Sequence, residues 1–215
     1  MENAAPNFLK DGPKDAPWTL ILAHGAGAPM DSDVMTGLAR RFGDAGVRVL
    51  RFEFSYMAER RATGKKKPPD REPKLLDAWR AAVEAARADP PAGARLALGG
   101  KSMGGRMASL IADEVGADAL ICIGYPFHPP GKPDRLRTAH LEEIRTPTFI
   151  RQGERDPFGR REEAAGYNLS AAVHLSWATD GDHDLKPRKA SGLTHAEALD
   201  QAVDATVDFL RNLPR

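Results

Sequence analysis

Residues 95–111 read Arg95-Leu96-Ala97-Leu98-Gly99-Gly100-Lys101-Ser102-Met103-Gly104-Gly105-Arg106-Met107-Ala108-Ser109-Leu110-Ile111. A short apolar run, Arg95–Leu98, stops at a pair of glycines; apolar residues then return at helical spacing as Met103, Met107 and Ile111. The pattern Gly100-x-Ser102-x-Gly104 is what a sharp strand-to-helix turn needs, because a side chain at either glycine would collide inside so tight a bend. Such a turn lifts the Ser102 hydroxyl to the carboxyl edge of a sheet. It also leaves the Met103 N–H at a helix N-terminus, where developing negative charge is favoured. A plain glycine-rich β–α turn with a capping serine uses the same residues. A phosphate-binding loop also ends in Gly-Lys-Ser, but it requires a glycine where the chain has Arg95, and the strand leaves too few residues to wrap a phosphate. No nucleotide is expected, and no other cofactor.

Outward from this turn, short apolar runs alternate with helix-period segments. The runs are Trp18–Ala23, Val47–Phe52, Arg95–Leu98, Ala119–Ile123, Thr148–Gln152 and Val173–Trp177, mostly unalternating, as strands buried on both faces should be. The first helix starts near Asp31 or Ser32 and stops by Gly46. The second has Pro73 in its first turn and ends before Pro90 and Pro91. The third runs from Met103 to Gly116 and the fourth over about Gly159–Tyr167. The last opens with the capping box Thr194-x-x-Glu197. This alternation predicts an α/β fold: a mostly parallel central sheet of about six strands with helices on both faces. One domain over 1–215 is expected, with no separate cap domain. Two stretches break the rhythm: Ser55–Pro73 is polar and basic, and Gly124–Thr146 is rich in Pro and His, with one short helix near Leu136–Glu142.

Bulk properties narrow the function classes. Lys+Arg 31 against Asp+Glu 30 leaves a net charge of +1, which argues against a nucleic-acid binder. The lone cysteine, Cys122, excludes an internal disulfide and a cysteine-based zinc site. No apolar run is long enough for a membrane helix, and Met1–Lys14 has neither a basic n-region nor an apolar h-region. A cytoplasmic protein is the expectation; the oligomeric state is not encoded in any pattern here.

A serine hydroxyl is inert near neutral pH unless a base takes its proton. Of the six histidines, His183 lies just past the last strand, in Thr179-Asp180-Gly181-Asp182-His183-Asp184, at the same sheet edge as Ser102. His174 begins that strand, His195 falls in the last helix and His140 in a weak helix, all read as structural. The acid follows the fifth strand in Arg151-Gln152-Gly153-Glu154-Arg155-Asp156-Pro157, with Asp156 preferred to Glu154. Ser102, Asp156 and His183 thus occur in the chain order Ser…Asp…His, each after a different parallel strand and so at one edge. The first strand ends in His24-Gly25-Ala26-Gly27-Ala28, a glycine-rich turn able to aim an N–H at a substrate oxygen. Ala26 and Met103 are the expected oxyanion-hole donors. His24 is expected to hold this loop by hydrogen bonding, and no metal ligand set is read.

With these motifs in place the chain resembles the α/β-hydrolase superfamily over nearly its whole length. It looks most like the small branch that includes testis-expressed protein 30 and the hydrolase-like domain of non-specific-lethal complex subunit 3. The resemblance rests on His24-Gly25-Ala26-Gly27, on Gly100-Lys101-Ser102-Met103-Gly104, on Gly124-Tyr125-Pro126-Phe127-His128-Pro129-Pro130-Gly131-Lys132-Pro133, and on Gly181-Asp182-His183. It implies a Ser–His–Asp hydrolase, with Ser102, His183 and Asp156 in those roles. Dienelactone hydrolases look similar in size but use a cysteine where this chain has Ser102. The implied partner is a small acyl substrate such as a carboxylic ester. Tyr56, Tyr125, Phe127 and Phe158 are the candidate pocket-lining residues, with plain core packing the alternative for each, and Arg60, Arg61, Lys65, Lys66, Lys67, Arg71 and Lys74 form a basic run that is either a solvated loop or an attractor of anions. A non-catalytic protein-interaction module on the same scaffold, or a small serine peptidase, are the alternatives.

Overall fold

The computed structural model describes residues 6–214; the first five residues of the N-terminal stretch read above for a leader, and the last residue of the 1–215 domain, lie outside it. Its sheet has seven strands: β1 (Leu9–Asp11), β2 (Trp18–Ala23), β3 (Arg48–Phe52), β4 (Arg95–Lys101), β5 (Ala119–Ile123), β6 (Thr148–Gly153) and β7 (Val173–Ala178). They lie in the order β1-β3-β2-β4-β5-β6-β7. From β3 to β7 every neighbour is parallel, and β1 joins the edge antiparallel to β3 with Leu9 opposite Arg51. The expected six strands are thus joined by a seventh. Three residues, Leu9-Lys10-Asp11, are too few to show periodicity, and β1 is held instead by edge pairing and by Asp11, which accepts two hydrogen bonds from Arg51 at 2.9 and 3.1 Å.

Every residue of β2, β3, β5 and β6 is buried, because helices cover both faces. Alternate side chains divide between them. Leu20 and Leu22 pack with Met35, Leu38 and Phe42 of α1 (Asp33–Asp44) and with Leu199, Val203 and Leu210 of the last helix, α5 (His195–Asn212). Ile21 and Ala23 face Leu75 and Trp79 of α3 (Glu72–Arg87) and Met107 of α4 (Met103–Ser109). Trp79 is fully buried and meets the Phe52 ring edge-on at 4.9 Å between centroids; truncating such a side chain costs about 3–5 kcal/mol.

Three elements differ from the sequence expectation. Ser55–Pro73 contains a helix, α2 (Ser55–Thr63), which buries only Tyr56 and Met57 and ends at Gly64 with φ +69°; so few apolar positions give no stripe to read. The third helix stops at Ser109 rather than near Gly116. Beyond it the bonds tighten to i→i+3 (Leu110 N–H to Met107 O, Ile111 N–H to Ala108 O), and the Ser109 hydroxyl takes the Arg106 carbonyl at 2.7 Å. The fourth is a 3₁₀ stretch, Arg161–Gly166. No separate cap domain is present among the described residues, nor is any helix there long and apolar enough to cross a membrane.

The strand order reverses at β2, which lies between β3 and β4, so a crevice opens at the carboxyl ends of β2 and β4. At the other end of the chain the Thr194 capping box is formed: its hydroxyl accepts the Glu197 N–H, and Glu197 accepts the Thr194 N–H at 2.7 Å. Thr194→Ala should destabilise the protein by about 1 kcal/mol, measured as a lower urea midpoint at unchanged slope.

Candidate active site

Ser102 sits between β4 and α4 with φ +52° and ψ −118°, a backbone shape that costs a non-glycine residue about 1–3 kcal/mol. Its neighbours enforce it. A Cβ on Gly104 would lie 2.6 Å from the carbonyl oxygens of both Ala23 and His24, and one on Gly100 would lie 2.4 Å from the Gly105 nitrogen. The first turn of α4 therefore rests directly on the end of β2, and the Ser102 hydroxyl stands clear of it. Behind the turn, on β5, lies Cys122, 1% exposed; its thiol donates to Gly105 O at 3.6 Å and burial pushes its pKa far above the ordinary thiol range.

The two loops expected beside Ser102 converge on it. His183 Nε2 is 2.9 Å from Ser102 Oγ, and His183 Nδ1 is 2.8 Å from Asp156 Oδ2. Asp156 is fully buried, and its carboxylate also accepts Gln152 Nε2 at 2.8 Å and the Phe158 N–H at 2.9 Å. Three donors satisfy a buried carboxylate that would otherwise be costly to desolvate. Glu154, the alternative acid, turns away: it pairs with Arg161 and accepts the Asp180 N–H. His24 is a loop support, its Nδ1 2.7 Å from Gly25 O and its Nε2 accepting the Phe54 N–H at 3.1 Å. Burial pushes its pKa below the usual histidine value. His140, His174 and His195 bond or stack elsewhere: on Ser109, on Phe149 and on the Asp184 carbonyl.

Two supports had no signature in the sequence. Lys101, at the x position of Gly-x-Ser, is buried, donates to the His183 carbonyl at 2.7 Å and pairs with Asp184 at 3.2 Å. Burial lowers its pKa, and the carboxylates of Asp184, Asp156 and Asp182 oppose that shift. Gly124, with φ +64°, leaves room for this contact; a Cβ there would lie 2.7 Å from His183 O. Gln152, on β6, bridges Asp156 to the Tyr125 and Gly159 carbonyls.

Two cavities meet at Ser102. One, of about 530 Å³, is lined by Gly25–Ala28, Val34, Met35, Phe158 and His183; the other, of about 450 Å³, by Met103, Leu75, Arg106 and Arg137 among others. Ala26 and Phe158 border both. The Phe158 ring packs on the His183 imidazole, 4.3 Å between centroids. The other three expected lining residues are corrected: Tyr56, Tyr125 and Phe127 are each 0% exposed and belong to the core beneath the site. Apolar area drew them inward, and their polar tips became struts. Tyr56 Oη donates to the Ala26 carbonyl at 3.0 Å, with its pKa pushed up to about 12 by burial, and Tyr125 Oη donates to the Arg137 carbonyl at 3.0 Å. Phe127 stacks on Tyr167 at 4.4 Å. The basic run is partly neutralised: Arg61 is held by Asp31 and Glu53, Lys67 by Glu59 and Lys74 by Asp70.

Because Lys101 anchors the backbone of the His183 loop, Lys101→Met should leave the partly buried His183 carbonyl without its donor and destabilise the protein by about 1–3 kcal/mol, measured as a lower urea midpoint.

A family model described as alpha/beta hydrolase domain matches residues 16–211. Among solved structures, an α/β serine hydrolase without lid from Xanthomonas campestris superposes with a TM-score of 0.70 at 22% identity, covering 100% of this chain and 98% of that one. A dienelactone hydrolase from Anabaena variabilis gives 0.73 at 18%, over 99% and 100%. Est1E from Butyrivibrio proteoclasticus gives 0.69 at 14%, over 97% and 100%. At these identities the superpositions speak for the fold alone, whereas the family match spans nearly the whole sequence. The chain belongs to the alpha/beta hydrolase domain family.

Proposed function

We propose that this protein is a serine hydrolase that cleaves a carboxylic ester or similar small acyl compound through Ser102, His183 and Asp156. The observation that carries the reading is the unbroken hydrogen-bond path from Asp156 Oδ2 through His183 to Ser102 Oγ, with steps of 2.8 and 2.9 Å. Asp156 holds the proton on His183 Nδ1, so Nε2 accepts the Ser102 proton as Oγ attacks the carbonyl carbon. The N–H groups of Ala26 and Met103 receive the oxyanion. Met103 supports this part because the first-turn N–H groups of a helix have no intrahelical acceptor. His183 then protonates the leaving oxygen, and water releases the acyl group from Ser102 by the same route.

A non-catalytic interaction module is the less favoured reading. Nothing in docking a partner calls for a serine held at φ +52° with its hydroxyl on an imidazole. Within the family, the Tyr125–Pro133 segment supports placing the chain beside testis-expressed protein 30 and the hydrolase-like domain of non-specific-lethal complex subunit 3. The similar dienelactone hydrolase from Anabaena variabilis, and Est1E with bound ferulic acid, support an acyl substrate.

A fluorophosphonate probe should label the wild-type protein and not Ser102→Ala; equal labelling would overturn the proposal. Asp156→Asn should lower kcat by orders of magnitude, about 10⁴ in the serine-protease precedent. His183→Ala should likewise abolish turnover, because no other group then accepts the Ser102 proton; an unchanged rate in that variant would exclude His183 as the base.

A further inference from the structure

The two cavities at Ser102 differ in charge. The first is lined by Gly25–Ala28, Val34 and Met35 together with Asp33, Asp184 and Lys101, two carboxylates against one ammonium. The second carries two guanidinium groups, Arg106 on α4 and Arg137 on the loop after β5. Arg106 donates through Nη2 to Glu72 at 3.1 Å, yet its Nε is buried and has no hydrogen-bond partner among the described residues. Arg137 has no carboxylate within ion-pair distance among the described residues, and its carbonyl accepts the Tyr125 hydroxyl at 3.0 Å. Burial and the neighbouring Arg106 charge both lower the Arg137 pKa, and burial, then Arg106, push His140 down to about 4. Two like charges therefore share one partly desolvated wall, an arrangement that a solvated surface arginine would leave by turning outward.

The acids of the same wall do not cancel both charges. Asp70 is committed to Lys74, the Ser55 hydroxyl and the Tyr56 N–H, and Glu72 answers Arg106 alone. One positive charge remains in a pocket that opens onto Ser102, the complement of a monoanion. Arginine forks suit a carboxylate because its two oxygens match the paired N–H groups.

His183 decides which half of the substrate lies there. If Ser102 is the nucleophile, as proposed above, the leaving oxygen must lie near His183 Nε2. His183 lines the first cavity and not the second. The leaving group thus occupies the first cavity and the acyl chain the second, which carries the two arginines.

We propose that the second cavity is an anion subsite for the acyl half of the substrate, so that the protein hydrolyses monoesters of dicarboxylic acids, with Arg106 and Arg137 holding the free carboxylate. The ester C–O bond breaks as the Ser102 Oγ–carbon bond forms; one water is consumed overall, and an alcohol and a dicarboxylic acid leave.

The test compares p-nitrophenyl hydrogen adipate with p-nitrophenyl hexanoate, which match in acyl length and differ in the terminal carboxylate. Wild type should favour the adipate by about tenfold or more in kcat/KM. Arg137→Gln should reduce that ratio about tenfold, chiefly through KM, with Arg137→Lys between them; thermal midpoints check that each variant is folded. A wild-type ratio near one, or a ratio unmoved by Arg137→Gln, overturns the subsite. If neither ester turns over and the fluorophosphonate probe fails, the hydrolase reading falls by itself. The subsite then stands on calorimetric binding of adipate to Ser102→Ala and its loss in Ser102→Ala/Arg137→Gln, and absence of binding overturns it too.

Discussion

The contact on which the site depends is the seating of α4 on the end of β2, where Gly104 meets the Ala23 and His24 carbonyls with no space for a single methyl group. That closeness sets three things together. It forces Ser102 into its positive-φ turn, it brings the Met103 N–H beside the glycine-rich loop after β2, and it places both at the point where the strand order reverses. Any residue larger than glycine at 104 would separate helix from strand and lose all three.

Around this corner, each loop is tied by a side chain from a neighbouring element. Lys101 at the end of β4 holds the His183 carbonyl, Gln152 on β6 holds Asp156, and Tyr56 on α2 holds the Ala26 carbonyl. These struts are buried, so their hydrogen bonds act in a low dielectric and their loss would leave unpaired polar groups. Reactive side chains whose orientation is fixed by such a layer need little reorganisation when substrate arrives.

Much of this was legible from pattern. The buried strands announced themselves as apolar runs, and the elbow glycines and the Ser…Asp…His order located the three polar residues, because parallel strands deliver their following loops to one edge. What escaped has physical reasons. β1 is a three-residue strand, too short for a pattern, recruited by an open sheet edge, and α2 is a largely solvated helix whose sequence shows too little apolar area for a stripe. Tyr56, Tyr125 and Phe127 looked like pocket walls because aromatic residues near a site serve equally well as lining or as core; only the packing decides, and here it put them in the core. Lys101 gave no signal, since a cationic side chain beside a nucleophile reads as solvent-facing until the backbone shows it folded beneath the histidine loop.

Cys122 lies against Gly105, inside the same corner that carries the serine. Its sulfur is sealed by the helix whose seating creates the elbow, so an alkylating reagent can reach it only when that helix lifts. The sole sulfhydryl of the molecule is therefore a gauge of the corner's opening: the pace of maleimide uptake reports how often the floor beneath the serine comes apart, separately from any chemistry performed above it.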